Sequence, residues 1–177
     1  VWPQSNEIHE TALRNVLKGC AGKPAQSVVE RIKEMEGLHG KRRTWVWAEL
    51  DQAPLAVALK HLATLAETCG KPVVGGALDD VVAAYVGGGW CADAAVLDAL
   101  AVVEKKDDIE AVQLVIRAVY SPWLEASALA FQKLVKAGSA AIQSKAPASV
   151  SDVAKGTAIL FADGLRFDLA QKLKAKL

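Results

Sequence analysis

The chain has 177 residues, of which 52% are hydrophobic and 23% charged, and its formal net charge is +1. This composition allows a packed core and excludes general disorder, while the near-neutral charge excludes a strong field for steering nucleic acid or acidic membranes. The chain begins with Val1 rather than Met, which favours an excised piece or a processed product of a longer protein.

The cysteines and the apolar segments predict a cytoplasmic protein with no membrane segment. Cys20, Cys69 and Cys91 stand at unrelated spacings without a CxxC pair, which is typical of reduced thiols used as small core residues. The N-terminus has neither the basic region nor the apolar run of a signal peptide. The apolar stretch from Ala92 to Val103 contains two aspartates and is too short to span a bilayer.

Helix signals fill the first 138 residues. Ser5 or Asn6 can cap a first helix, and Pro24 suits the first turn of a second. Gly70 and Pro72 end a later helix whose apolar residues recur at spacings of four and three. The stripe of the second helix is Val28, Val29, Ile32 and Met35, and that of the later helix is Leu55, Leu59, Leu62, Ala66 and Cys69.

Further helices follow along the chain. A short one from Ala77 to Val86 is expected to end at the glycine run 87–89, and the next is carried by Val96, Leu97, Leu100 and Val103. Asp107 and Glu110 resemble a capping box, and Ser121-Pro122 predicts the start of another helix, lined by Leu124, Ala128, Phe131 and Val135. Thr44–Trp47 alternates with period two, as in a short strand or an extended lead-in. We therefore predict a mainly α domain of about six or seven helices.

The last part of the chain has a different pattern. A linker rich in Ala, Ser, Lys and Pro separates a helical domain at 1–148 from a segment at 149–177. The apolar run Ala158–Ala162 predicts a buried strand, and a helix with Leu169, Leu173 and Leu177 follows it. A lone strand cannot satisfy its own backbone, so this segment predicts a truncated β-α unit that would open an α/β core. We expect the tail from Thr157 to be poorly ordered or to pair with a neighbouring molecule.

Few residues in the helical region carry a recognisable chemical pattern. His9, His39 and His61 have no metal-ligand spacing, and the glycine run 87–89 lacks the features of a phosphate loop. Lys41-Arg42-Arg43, beside Trp45 and Trp47, is compatible with a nucleic-acid contact, but a solvated loop before buried tryptophans is favoured.

Asp163 follows the predicted strand, where α/β folds commonly present a catalytic or metal-binding carboxylate. Its local pattern alone favours a turn or helix cap. A phosphatase of the haloacid dehalogenase type would need a second Asp at position 165, which is Leu165.

Residues 160–168, Leu-Phe-Ala-Asp-Gly-Leu-Arg-Phe-Asp, resemble the opening of the PglZ domain, a member of the alkaline phosphatase superfamily found in BREX phage-defence systems. Two upstream segments, at 45–55 and 120–127, are similar to the helical region that precedes that domain. The resemblance implies that the core is alkaline-phosphatase-like and that Asp163 binds a divalent metal, zinc or manganese, in the complete protein. It makes Arg166 and Asp168 candidates for phosphate contact or for orienting each other.

The resemblance also implies other BREX components as partners and a phosphoester or nucleic-acid substrate for the full protein. The other metal ligands and the nucleophile would lie downstream of Leu177, so the segment alone contains no catalytic residue. One carboxylate cannot hold a catalytic zinc. We therefore expect this segment to bind no cofactor and to be inactive by itself. The alternative is a free-standing helical protein-interaction module without catalysis.

Overall fold

The computed structural model describes residues 2–71, 75–137, 156 and 162–177, and these are almost entirely helical. A 3₁₀ turn at Gly40–Thr44 precedes the third helix, and a π-helical segment at Tyr85–Gly89 joins the fifth to the sixth. The α-helices are α1 (Pro3–Lys18), α2 (Ala25–His39), α3 (Val46–Glu49), α4 (Pro54–Cys69), α5 (Leu78–Ala84), α6 (Trp90–Ala101), α7 (Lys106–Lys136) and α8 (Phe167–Lys174). The mainly α prediction is confirmed, and no strand occurs in this described part.

The centre of the fold is α4, which packs against α1, α2, α6 and α7. Leu55, Leu59 and Leu62 are completely buried, as their spacing predicts. The stripe predicted for α2 is likewise buried. The sequence therefore identified the buried faces of both helices.

The packing of α6 differs from the prediction. Leu97 is exposed, whereas Ala92, Ala95 and Ala99 are buried. Small side chains let α6 approach α4 closely, so the larger aliphatic residues of α6 lie at the edge of the contact. A pattern that counts only large apolar residues misses this alanine face.

Pro122 does not start a helix. It lies inside α7, which runs without interruption from Lys106 to Lys136. The first half of α7 is buried in the core, but beyond Trp123 the helix is largely exposed, including the predicted stripe residues Leu124, Phe131 and Val135. Core packing in the first half explains why the helix continues through a residue that favours a helix start.

Two of the predicted N-terminal helix caps are also wrong. Helix α1 begins at Pro3, so Ser5 and Asn6 lie within it, and the Asn6 amide donates a hydrogen bond to the carbonyl of Gln52 at 2.7 Å. Asp107 lies inside the first turn of α7 and pairs with Lys18 at 3.1 Å. In both cases the side chain that the local pattern assigned to a cap bonds instead to a residue far away in the chain.

The segment that alternates with period two is partly helical. Trp45 is extended, which fits a lead-in, but Val46–Glu49 forms α3 and not a strand. The glycine run at 87–89 interrupts the helix, as predicted, because Gly88 has a non-helical backbone conformation (φ 163°, ψ −17°). The resulting kink separates the preceding helix from α6, which starts at Trp90.

The tail from Phe167 onward is a helix that packs against α6. Lys172 pairs with Asp98 at 2.6 Å, and the ring centroids of Phe167 and Tyr85 lie 5.9 Å apart. This part of the tail therefore has a partner within the chain, contrary to our expectation. The boundary at 148 and residues 158–161 of the predicted strand lie outside the described residues, so both stay predictions.

The span Leu78–Ala101 is long and apolar enough, by length and composition, to cross a membrane. A core helix of a soluble protein passes the same test. Here α6 packs on α4, and its Asp93 and Asp98 carboxylates are hydrogen-bonded. The packing is compatible with a soluble protein.

Candidate functional site

Asp163 lies in an exposed turn before α8. The next residue, Gly164, has a positive φ of 65°, a left-handed conformation that glycine adopts without steric cost. Among the described residues, no side chain forms a hydrogen bond or ion pair with Asp163. The turn therefore presents a carboxylate to solvent from a backbone geometry that Gly164 makes possible.

Arg166 and Asp168 form a bidentate ion pair. Nε and one terminal nitrogen of Arg166 each donate to a different Asp168 oxygen at 3.1 Å. The Asp168 side chain is 1% exposed, whereas that of Arg166 is 54% exposed. The hydrogen bond to Asp168 raises the pKa of Arg166. Both Asp168 oxygens are engaged, so this carboxylate orients Arg166, as one of the sequence hypotheses proposed.

Helix α8 buries a different face from the one predicted. Leu177 is almost fully exposed and Leu169 is exposed by 39%, while Asp168 is buried. The helix begins at Phe167, after Arg166 in an extended conformation (φ −60°, ψ 145°). Its first turn thus carries an acidic residue, which is favourable beside the positive end of the helix dipole.

Phe167, between Arg166 and Asp168 in the chain, lies beside a polar cluster of the helical region that sequence reasoning missed, with its ring 5.9 Å from that of Tyr85. The hydroxyls of Tyr85 and Tyr120 both donate to Asp93, at 2.6 and 2.5 Å. Burial, followed by the hydrogen bond to Asp93, raises the pKa of both tyrosines. We call these three residues the tyrosine–aspartate network. Tyr85 is 8 positions and Tyr120 is 27 positions from Asp93 in the chain, so no local motif connects the three residues.

An apolar cavity of about 250 Å³ adjoins this network. Tyr85 and Asp93 lie at its polar side, and the remaining lining is mainly aliphatic and aromatic. Trp123 closes part of it, with its indole N–H donating to the carbonyl of Lys71 at 3.1 Å. The other lining residues are Val81, Val82, Leu124, Ser127 and Phe131.

The basic segment before α3 is a 3₁₀ turn and not the solvated loop that the sequence favoured. Arg42 is 2% exposed and pairs with buried Glu10 at 2.7 Å. Arg43 pairs with Glu36 and also donates to the carbonyl of Ala56 at 3.3 Å. Two of the three charges are thus used to hold α1, α2 and α4 together.

The fold brings two of the separated histidines together. The rings of His9 and His39 are 5.9 Å apart, and Nδ1 of His39 lies 3.4 Å from the Arg42 guanidinium. His61 is separate, half-buried beside Asp98. Among the described residues, no group of three or more His, Cys, Asp or Glu side chains is arranged to hold a metal ion.

A scan against protein-family models, a search of curated proteins and a search of solved structures all find no match. Membership of the PglZ family is therefore a hypothesis that rests on the residues of the chain.

Proposed function

We propose that this chain is part of a PglZ-type, metal-dependent phosphoester hydrolase of a phage-defence system. In this proposal the helical region is a scaffold, and Asp163 is one ligand of a divalent metal, zinc or manganese, in the complete cytoplasmic protein. The substrate is a phosphoester, a nucleic acid being one candidate, and other BREX components are the partners.

The observation that carries the proposal is the arrangement of the Asp163–Asp168 segment. Asp163 is exposed and without a hydrogen-bonding side chain in the described part, whereas Asp168 is buried and committed to Arg166. The two carboxylates therefore differ in availability, and only that of Asp163 is free to bind an external cation. Arg166, more than half exposed, presents part of its guanidinium to solvent, where a phosphate oxygen can accept from it.

The described residues alone do not fit a complete metal centre. A catalytic zinc usually takes three protein ligands, and Asp163 supplies one. When bound, the metal would polarise a phosphoryl oxygen and activate a nucleophile. This chain contributes one anchoring carboxylate and a guanidinium three residues later.

The test uses the product of the full reading frame and a chromogenic phosphodiester in the presence of Mn²⁺ or Zn²⁺. Asp163→Asn should lower kcat/KM by about 100-fold, or ~3 kcal/mol, because the amide is a poor ligand that cannot balance the metal charge. Metal affinity should fall in parallel.

The matched control is Glu67→Gln, which neutralises an exposed carboxylate on α4 without a described partner. It should retain wild-type activity. Equal activity of wild type and Asp163→Asn would show that Asp163 only forms the turn, and it would contradict the proposal.

A second candidate is a helical protein-interaction module without catalysis. It is favoured by the exposed second half of α7, where Leu124 is 46% exposed beside the apolar cavity. Aliphatic groups grouped in this way are typical of docking surfaces. The full reading frame separates the candidates, because downstream strands ending in His and Asp support the hydrolase and an immediate stop codon supports the module.

A further inference from the structure

Asp93 is the point at which three elements of the helical region meet through side-chain hydrogen bonds. Tyr85 comes from the π-helical segment, Asp93 from α6 and Tyr120 from α7. Both hydroxyls point to the same carboxylate, at 2.6 and 2.5 Å, distances typical of hydroxyl–carboxylate hydrogen bonds. Two donors on one carboxylate hold it in a single orientation.

Tyr85, one of the two donors to Asp93, contacts the start of α8. The ring of Phe167 lies 5.9 Å from that of Tyr85, and Phe167 stands between Arg166 and Asp168 in the chain. Asp93 and Tyr120 are close enough to act electrostatically on Arg166, and Asp168 acts on Tyr85. Asp168 and, to a smaller extent, Asp93 therefore both favour the charged guanidinium of Arg166.

The path from this cluster to Asp163 is short. Only Gly164 and Leu165 separate Asp163 from Arg166, and the backbone at Gly164 is held in a left-handed turn. Fixing Arg166 therefore restricts where the Asp163 carboxylate can lie. By contrast, the Lys172–Asp98 pair, near the other end of α8, is 35% and 38% exposed and lies farther along the chain from the turn.

We propose that the tyrosine–aspartate network positions the Asp163 turn, by holding the Arg166–Asp168 pair against the helical region. In this role Asp93, Tyr85 and Tyr120 are positioning residues that touch neither metal nor substrate. The consequence for catalysis rests on the proposed function, whereas the placement of the turn does not. The helical region would then be a part of the site as well as a scaffold.

Amide hydrogen exchange on the 177-residue chain tests the placement without metal or substrate. Asp93→Asn keeps the size of the side chain but removes the charge that attracts Arg166. It should raise exchange at the hydrogen-bonded amides of residues 170–175 by about tenfold, because a tyrosine hydrogen bond to a charged group and the attraction for Arg166 are lost. Exchange in α2 and α4 should not change.

The matched control is Asp98→Asn, the same substitution on the same helix. It removes the partner of Lys172, and we expect it to raise exchange at residues 170–175 by less than about threefold, since exposed pairs contribute little. If Asp93→Asn does not fold, Tyr120→Phe removes one of the two hydroxyls that orient Asp93 and should raise the same exchange by a smaller factor, since Tyr85 still donates to Asp93; no rise in exchange would overturn the proposal.

A double-mutant comparison separates positioning from general stability. In the Arg166→Gln background, Asp93→Asn should add almost nothing to exchange at residues 170–175, because the charge on which Asp93 acts has gone. An equal effect of Asp93→Asn with and without Arg166 would overturn the proposal, as would unchanged exchange in the single variant.

In the full-length product, Asp93→Asn should weaken Mn²⁺ binding and lower kcat with little change in KM, about tenfold in each affected quantity. Wild-type Mn²⁺ affinity in this variant would overturn the positioning of a metal ligand. If Asp163→Asn itself proved fully active, the proposed function would fail, while the exchange experiment would still decide where the turn is held.

Discussion

Arg42 is the residue whose role changed most between sequence and structure. It lies in a run of three basic residues, yet its guanidinium is buried against Glu10 and Asn6, 5.6 Å from the ring centroid of Trp45. Glu10 has a second partner, because its other carboxylate oxygen accepts a hydrogen bond from the backbone N–H of Leu55 at 2.9 Å. The pair therefore ties α1 and the 3₁₀ turn to the start of α4. The Nε of Arg42 is buried without a partner in the described part, which lowers the net gain from the pair.

Arg42→Met should lower the free energy of unfolding by about 3–5 kcal/mol, because it leaves the Glu10 carboxylate buried and unpaired. Urea denaturation of the 177-residue chain measures this loss.

Arg43→Met is the comparison, since its pair with Glu36 is 26% and 28% exposed. We expect a loss of about 1 kcal/mol there. A double variant, Glu10→Gln with Arg42→Met, should recover part of the stability lost in Arg42→Met. Equal losses for the two arginine variants would contradict a special role for the buried pair.

At the scale of elements, α7 shows how tertiary contacts override a helix-start signal. Proline lacks the N–H that would bond to the carbonyl four residues earlier, here Ala118, so its place inside α7 carries a cost. Residues on both sides compensate, with Val119 and Trp123 buried in the core. The helix stays continuous because the residues of its first half pack in the core and hold it in place.

Pro122→Ala should stabilise the protein by about 1–2 kcal/mol, because restoring the N–H gains a helical hydrogen bond and relieves the clash, partly offset by a more flexible unfolded chain. The measurement is the urea midpoint with an unchanged m-value.

A control is Pro54→Ala, at the first position of α4, where proline is well tolerated and substitution should bring no gain. Destabilisation by Pro122→Ala would indicate that this proline marks a true helix start, against the continuous helix.

At the scale of the whole molecule, two half-buried histidines connect stability to pH. Burial lowers the pKa of His39, and neighbouring Arg42 and His9 lower it further. Burial also lowers the pKa of His61, against the opposing effect of Asp98, with smaller lowering effects from Lys60, Lys172 and Arg43. The Arg42 guanidinium can only donate, so Nδ1 of His39 must accept, and its protonation would remove that hydrogen bond.

Because the folded-state pKa of each histidine lies below the ordinary value of 6.5, the unfolded chain binds protons first as the pH falls. Their contribution to stability is therefore complete above about pH 6.5 and is lost as the pH falls through the folded-state pKa values. Urea denaturation between pH 8 and 5 should show this loss. His39→Gln should partly reduce the dependence of the free energy of unfolding on pH, and the double variant with His61→Gln should reduce it further. An unchanged pH dependence in the double variant would contradict the assignment of this effect to the two histidines.

The sequence alone was sufficient for the helical class and the stripes of α2 and α4, because these depend on local periodicity, and a contiguous motif supplied the hypotheses for Asp163, Arg166 and Asp168. Tertiary structure decided the alanine face of α6, the continuity of α7 and the burial of Arg42 and Asp168. It also brought Tyr85 and Tyr120 to Asp93 and placed that network against α8. Such contacts join residues far apart in the chain, where spacing contains no information about which side chains will meet. The physical reason is that burial and charge pairing are set by neighbours in space, whereas helix formation is already encoded in residues three and four positions apart.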